Sequence, residues 1–160
     1  MAEINLIRVD SRLIHGQVIT KWLRVTKANR IIIVDNQLAE DTFMGDIYAA
    51  AAPRNVSVEI VSVKQFMMEW EKNKLGEGVI LLLLKDVKTG YILFKEGFPI
   101  RHLQLGGLPT GPGRTPIYKA VALDAQDISQ LKEMNSNGIY IDLHVIPEDS
   151  KTEFSRLKNI

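Results

Sequence analysis

A histidine with charged neighbours, His15, lies near the start of the chain and could carry out phosphoryl chemistry. It ends the segment "RVDSRLIH", which stands between an apolar run and an amphipathic stretch that begins at Gly16. This order predicts a strand, a loop and a helix, with His15 immediately before the first helical turn. Free backbone N–H groups and the positive end of the helix dipole favour an anion at such a place.

Phosphoryl transfer requires mainly positioning and charge neutralisation, and the loop offers groups for both. The helix dipole disfavours an imidazolium ring, and a neutral imidazole has a lone pair that can attack phosphorus. Arg12 could bind the phosphate oxygens through its planar guanidinium group. Asp10 could orient either the His15 ring or Arg12. A turn histidine beside solvated arginines, Arg8 and Arg12, is the alternative, and the residues alone do not separate the two.

The other two histidines, His102 and His144, fall within predicted strands, where a histidine usually has a structural role. The sequence contains no cysteine, which excludes disulfides, thiolate nucleophiles and cysteine-based metal sites. No group of histidines and acidic residues has the spacing typical of metal ligands. We therefore predict no metal site.

A glycine-rich segment, "LGGLPTGPGRTP", invites a nucleotide-binding interpretation. Gly106 and Gly111 have the spacing of P-loop glycines, but Pro112 and Gly113 stand where a P-loop requires Lys and Ser or Thr. A predicted strand, not a helix, follows the segment, and we therefore reject nucleotide binding. We expect a flexible loop in which Gly106 and Gly107 let the backbone approach a phosphate or a partner. A plain connecting loop is the alternative.

Apolar, β-branched runs alternate with helical stretches along the chain. The predicted strands are 4–9, 30–35, 56–61, 79–84, 100–105, 117–123 and 139–146, and the predicted helices are 16–26, 39–52, 63–74, 86–96 and 125–136. This alternation indicates an α/β fold, with an open, mainly parallel sheet of about seven strands and helices on both faces. Ligands of such sheets bind beyond the carboxyl ends of the strands, where His15 is expected.

Length and charge narrow the class of protein further. A chain of 160 residues suits one domain, residues 1–160, and its net charge of +1 argues against binding to nucleic acid or to an anionic membrane. The longest apolar run, at 79–84, is too short to span a bilayer, and no signal peptide is visible. We expect a cytoplasmic protein.

The segment "RVDSRLIHGQV" resembles the active-site loop of the IIB components of the mannose/fructose/sorbose family of bacterial sugar phosphotransferase systems. The likeness covers essentially the whole chain, through "IIIVDN" at 31–36, "AAAAP" at 49–53, "LGG" at 105–107, "GR" at 113–114 and "HVIPED" at 144–149. Ser11 stands where many relatives have a second acidic residue. The segment "LPTGPGRTPIYKAV" is more similar to the N-acetylgalactosamine/galactosamine branch than to mannose-type members.

The resemblance implies a phosphoryl carrier with the open, mainly parallel sheet already predicted. His15 would take the phosphoryl group at Nδ1 from a phosphohistidine of a IIA partner and pass it to a sugar that enters through the membrane IIC and IID components. Arg12 would bind the phosphate and Asp10 would orient the site. The backbone groups expected close to the phosphate are those of Gly16, Gln17, Gly106 and Gly107. No cofactor is implied, and members of the family often form homodimers.

Two other functions compete with the carrier. A receiver domain phosphorylated on aspartate needs paired acids after its first strand and an acceptor Asp after its third, whereas "RVDSR" has one acid and "EIVSV" at 59–63 has no Asp. A non-catalytic regulator, in which His15 only hydrogen-bonds a sugar or effector, remains the alternative. For the carrier, cations at Arg8, Arg12, Lys21 and Arg24 would suit a partner with an acidic rim.

Overall fold

The structure is a computed structural model, and it describes residues 1–158 and 160. The strands in this part of the chain are β1 (Glu3–Val9), β2 (Arg30–Val34), β3 (Ser57–Val61), β4 (Val79–Leu84), β5 (His102–Leu105), β6 (Thr115–Tyr118), β7 (Val121–Leu123), β8 (Tyr140–Leu143) and β9 (Thr152–Glu153). The helices are α1 (Gly16–Thr26), α2 (Thr42–Ala51), α3 (Val63–Asn73), α4 (Val87–Lys95) and α5 (Ala125–Ser136), with short 3₁₀ turns at Leu38–Glu40 and Phe154–Arg156.

Seven of the described strands form one open sheet in the order β3-β2-β4-β1-β5-β8-β9. Every neighbouring pair runs parallel except β8 and β9. The interior strand β4, "VILLLL", is buried over all but its first residue, as a strand covered on both faces must be. The predicted mainly parallel sheet of about seven strands is confirmed.

Helices cover both faces of this sheet, as the sequence predicts. On one face α1 and α2 pack against side chains such as Leu6 and Leu83. On the other face α3, α4 and α5 pack against side chains such as Ile7 and Leu82. Right-handed crossovers explain the division, because the chain moves first from β1 toward the β3 edge and then back toward β8. Among the described residues, no helix is both long and apolar enough to cross a bilayer.

The predicted strand at 117–123 is wrong. This segment forms the end of the first strand, the turn and the second strand of a hairpin, in which β6 and β7 pair antiparallel as a separate two-stranded sheet. The chain reverses at Lys119, whose φ is +40°, and the sequence has no glycine or asparagine there to mark the turn. The seventh strand of the main sheet is instead β9, near the C-terminus, where the next residue, Phe154, is buried. The last predicted strand is also too long, since β8 ends at Leu143.

Candidate functional site

The loop that carries His15 lies where the direction of the chain's crossovers changes. It follows β1, which leads into α1 on one face of the sheet. The strands on either side of β1 are β4 and β5, and the chain continues from them to α4 and α5 on the other face. Such a reversal opens a crevice at the carboxyl ends of the strands, which is the usual ligand site of parallel α/β sheets.

Backbone hydrogen bonds attach this loop to both neighbouring strands. The Asp10 amide donates to the carbonyl oxygen of Leu84, at the end of β4, over 2.9 Å. The Ser11 amide donates to the carbonyl oxygen of Gly107, just after β5, also over 2.9 Å. The glycine-rich segment therefore does reach the His15 loop, and the loop begins from a rigid base.

Two buried aliphatic side chains, those of Leu13 and Ile14, come immediately before His15. Leu13 has a positive φ of 54°, and its side chain and that of Ile14 are buried in the core beneath α1. Gly16 also has a positive φ, 47°, at the first residue of α1, where a side chain would strain the backbone. With both apolar neighbours pointing inward, His15 takes the N-cap position of α1 in extended conformation.

Asp10 connects the predicted site residues. Its side chain is 1% exposed, and its Oδ2 lies 3.4 Å from Nε2 of His15. Its Oδ1 accepts a hydrogen bond of 3.1 Å from the Arg12 backbone amide and lies 3.8 Å from the Arg12 Nε. Asp10 thus contacts both His15 and Arg12, the two alternatives left open by the sequence. Because Nε2 of His15 faces the carboxylate, Nδ1 is the ring nitrogen turned away from it.

The sequence reasoning missed the buried contacts that Arg8 makes within the candidate site. Its prediction as a solvated rim cation is wrong, because the side chain is 2% exposed and its Nη2 lies 3.2 Å from Asp10 Oδ2. Arg8 also donates to the Gln104 side chain and, over 2.7 and 2.9 Å, to the carbonyl oxygens of His144 and Val145. Burial lowers the pKa of the Arg8 guanidinium group, and the neighbouring Asp10 opposes that shift. Arg8 is a positioning residue that holds Asp10.

A signal for the role of Arg8 was present in the sequence. The residue lies between Ile7 and Val9 in a strand predicted to be covered on both faces, so its side chain has no route to bulk solvent at either face. A buried arginine in such a strand requires a buried anion, and Asp10 two residues later is the local candidate. The guanidinium carbon also lies 5.1 Å from the centroid of the Trp22 ring of α1.

The two adjacent glycines are needed for close packing around these side chains. A Cβ atom on Gly106 would overlap the Arg8 guanidinium group, and one on Gly107 would lie 3.0 Å from Arg12 Nη2. The Gly106 amide donates to the Val9 carbonyl oxygen over 2.7 Å, so it is engaged in the backbone. The glycines therefore make room for charged side chains. From the sequence, we expected them to let the backbone approach a phosphate or a partner.

The mouth of the site combines a free helix terminus with an exposed cation. No acidic residue lies in the first turn of α1, and the His15 side chain makes no capping hydrogen bond to it in the described structure. Gly16 and Gln17 are exposed, and the Arg12 side chain is 56% exposed. An anion placed beside His15 can therefore meet the helix terminus and the Arg12 guanidinium group together.

The other predicted residues form no ion pair or side-chain hydrogen bond with Asp10, Arg12 or His15 among the described residues. Lys21 forms an ion pair of 2.7 Å with Glu148, whereas Arg24 is exposed on α1. His102 contacts the buried Asp142, and Nε2 of His144 lies 2.8 Å from the Asp149 carbonyl oxygen. Both histidines have structural partners, in agreement with their predicted role. Within residues 1–158 and 160 no group of three or more potential metal ligands is found.

Comparison with known proteins identifies the family to which this site belongs. Residues 4–159 match the family described as PTS system sorbose subfamily IIB component. The chain belongs to this family. It is 35% identical over 150 residues to the sorbose-specific EIIB component of Lacticaseibacillus casei, a match that covers 94% of this chain and 92% of that relative.

A solved structure gives the same assignment for the fold of this IIB chain. The crystal structure of manxB from Thermoanaerobacter tengcongensis superposes with a TM-score of 0.90 and is 34% identical, covering 97% of this chain and 94% of that one. The resemblance found in the sequence is confirmed at the level of the mannose/fructose/sorbose IIB family. The N-acetylgalactosamine-specific phosphotransferase enzyme IIB component 2 of Escherichia coli (strain K12) is 25% identical over 157 residues. The assignment to that branch stays a prediction.

Proposed function

We propose that this IIB chain carries a phosphoryl group on Nδ1 of His15. It would take the group from a phosphohistidine of a IIA protein and pass it to a sugar that enters through the membrane IIC and IID components. The observation that carries the proposal is the position of His15 at the N-terminus of α1, with Nε2 3.4 Å from the buried Asp10 carboxylate. Nδ1 is then the ring nitrogen available to a phosphoryl group, on the residue that precedes a helix terminus favouring anions.

The proposed step exchanges one P–N bond for another. The Nδ1 lone pair of a neutral His15 attacks phosphorus as the bond between phosphorus and the donor histidine breaks, and the electron pair of that bond returns to the donor ring. The proton stays on Nε2 of His15, where Asp10 accepts it in a hydrogen bond. Asp10 offsets the positive charge that the ring acquires when Nδ1 is phosphorylated, and Arg8 keeps Asp10 in place.

The phosphate oxygens would be held by groups at the mouth. Arg12 is exposed enough to turn toward them, and its guanidinium group matches two oxygens at once. The amides of Gly16 and Gln17 belong to the free first turn of α1. Of the two buried glycines, Gly107 lies beside Arg12 and shapes its approach. No cofactor takes part in this step.

The same proposal includes a cytoplasmic location, with the carrier docking at the membrane components when it gives up the phosphoryl group. Successive docking on two partners suits interfaces of modest size and affinity, because each complex must dissociate before the next forms. The transported sugar is chosen largely by the membrane components, so the IIB chain contributes the phosphoryl group and the geometry of its transfer.

Intact-mass spectrometry at alkaline pH tests the proposal. The protein is incubated with phosphoenolpyruvate, the general phosphotransferase proteins and a cognate IIA protein, with His15→Ala and His102→Ala in parallel. We expect one added, acid-labile phosphate on the native chain and on His102→Ala, and none on His15→Ala. Phosphate on His15→Ala would place the acceptor elsewhere. Absence of phosphate on every chain, with the IIA protein shown to be charged, would favour the non-catalytic sugar- or effector-binding regulator.

A further inference from the structure

Trp22 contacts the candidate site from inside the fold. It lies on α1, the helix that begins directly after His15, and its side chain is 4% exposed. Its Nε1 donates a hydrogen bond of 3.1 Å to the carbonyl oxygen of Val145, which follows β8. The centroid of its ring lies 5.1 Å from the guanidinium carbon of Arg8 on β1. One side chain of α1 therefore contacts two other elements that surround the site.

The carbonyl oxygen of Val145 also binds Arg8. Nη2 of Arg8 donates to it over 2.9 Å, and a carbonyl oxygen has two lone pairs, so it can accept both hydrogen bonds. Nη1 of Arg8 donates to the His144 carbonyl oxygen over 2.7 Å. The His144 ring is nearly perpendicular to the Trp22 ring, at a centroid distance of 4.9 Å. The Arg8 guanidinium group is thus held between carbonyl acceptors and the face of an indole ring.

The groups of the candidate site come from two different elements. The amides that could bind a phosphate belong to the first turn of α1, whereas the Asp10 carboxylate follows β1 and is paired with Arg8. Phosphoryl transfer requires both groups in one place, because a misplacement of about 1 Å can slow a reaction by about 10²-fold. Trp22 joins the two elements, since it belongs to α1 and packs on Arg8.

We propose that Trp22 is a positioning residue that fixes the N-terminus of α1 relative to the pair of Arg8 and Asp10. The hydrogen bond of its indole N–H sets the orientation of the ring, and the ring face holds the guanidinium group. Asp10, held by Arg8, then keeps the His15 proton on Nε2 and leaves Nδ1 free. The effect of Trp22 on a transfer rate rests on the proposed function, whereas its effect on the His15 ring does not.

Trp70 provides a matched control within the same chain. It is the other of the two tryptophans and lies on α3, on the opposite face of the sheet from Trp22. Its ring has a similar set of neighbours. The Lys74 Nζ lies 4.6 Å from its centroid, and the Phe98 ring is nearly perpendicular to it at 5.1 Å. Loss of either tryptophan therefore removes similar packing, but only Trp22 packs on a residue of the site.

NMR spectroscopy of the unphosphorylated protein, with isotopically labelled histidine, tests the proposal first. The chemical shifts of the two ring nitrogens show which one carries the proton of a neutral imidazole. We expect a single form, with the proton on Nε2 of His15, in the native chain and in Trp70→Phe and Trp70→Leu. We expect a mixture of the two tautomers in Trp22→Leu. Trp22→Phe keeps a ring beside Arg8 and loses only the N–H donor, so its mixture should be smaller.

Single-turnover phosphorylation by phosphorylated IIA protein is the second measurement. We expect Trp22→Leu to slow the step by about tenfold and Trp22→Phe by about threefold, while both Trp70 variants stay within about twofold of the native rate. Far-UV circular dichroism verifies that each variant is folded at the temperature of the assay. If Trp22→Leu does not fold, Trp22→Phe carries the test.

Three results would overturn the proposal. The first is a His15 proton that stays on Nε2 in the folded Trp22 variants, or that is already shared between the two nitrogens in the native chain. The second is an equal change in the Trp22 and Trp70 variants, which would show a general loss of packing. The third is a native transfer rate in both Trp22 variants. Absence of phosphate on every chain would instead contradict the proposed function, and the tautomer measurement would still decide the role of Trp22.

Discussion

His15 and His102 each lie against a buried aspartate on the same side of the sheet, yet their surroundings differ. Nε2 of His15 faces Asp10 and Nε2 of His102 faces Asp142, and each carboxylate is 1% exposed. His15 stands at a free helix terminus beside Arg12. His102 is the first residue of β5, where the neighbouring backbone groups are used by the sheet.

Solvent exposure of the histidine does not favour His15 over His102 as the candidate site. The side chain of His102 is 39% exposed, more than the 20% of His15. A His–Asp pair orients an imidazole ring in either place, but the pair at the helix terminus also has helix amides, a dipole and an exposed cation beside it. The helix terminus and the cation, rather than the paired histidine, define the candidate site.

Removal of Arg8, the buried cation between the two His–Asp pairs, should have the largest effect, which is on stability. Arg8 bonds Asp10 and Gln104, and Gln104 is the register partner of Asp142. We expect Arg8→Met to lower the free energy of unfolding by about 3–5 kcal/mol, because it leaves the Asp10 charge buried and unpaired. Urea denaturation measures the change, with the exposed Arg24→Met as a control that should leave stability unaltered.

A double variant sharpens this first prediction. Arg8→Met combined with Asp10→Leu replaces both buried charges with apolar groups, and it should recover most of the lost stability without restoring the native rate of phosphorylation. A loss below about 1 kcal/mol in Arg8→Met alone would contradict the role given to Arg8.

Loss of the exposed cation, Arg12, should strongly reduce the rate of phosphoryl transfer. We expect Arg12→Ala to slow single-turnover phosphorylation by about 10²–10³-fold, the usual effect of removing one group that stabilises developing charge. Arg12→Lys should keep part of the rate, because it retains the charge but not the two-point contact. Rapid-quench experiments with phosphorylated IIA protein measure these rates. A native rate in Arg12→Ala would show that Arg12 does not belong to the site.

Replacement of each of the two aspartates by asparagine tests the comparison most directly. Asp10→Asn should slow phosphorylation of His15 by roughly 10–100-fold, because an amide orients the ring but does not offset its charge. Asp142→Asn, the matched change in the other pair, should leave the rate within about twofold. Equal slowing by the two variants would show that the effect comes from general disturbance of the sheet.

The smallest effect concerns the rim of the site. Burial of Arg8 and the ion pair between Lys21 and Glu148 leave Arg12 and Arg24 as the exposed members of the predicted cationic rim. We expect Arg24→Glu to slow phosphorylation by IIA on the order of threefold at low salt, and less at high salt, where rim charges are screened. An unchanged rate at low salt would reject a docking role for this rim.

Most of the fold could be predicted from the sequence because its signals are local. Apolar strands such as "VILLLL" and the helices between them are recognisable by periodicity alone, and parallel strands require helices on both faces. The hairpin at 115–123 could not be predicted in this way, since its reversal at Lys119 uses a positive φ without glycine. The pairing of β9 was equally hidden, because a two-residue strand has no periodicity of its own.

The candidate site could also be predicted only in part from local signals in the sequence. The order of strand, loop and helix placed His15 at a helix N-terminus, with Arg12 and Asp10 nearby, and a family resemblance added the expected chemistry. By itself, therefore, the sequence determined which loop is the candidate site and that it lies at the carboxyl end of the sheet. Only the tertiary structure decided that Gln104 and His144 bind Arg8, and that Gly106 and Gly107 make room for the charged side chains. The physical reason is distance along the chain: these contacts join β1 to segments more than 90 residues away, and no local pattern records which strand will lie beside another.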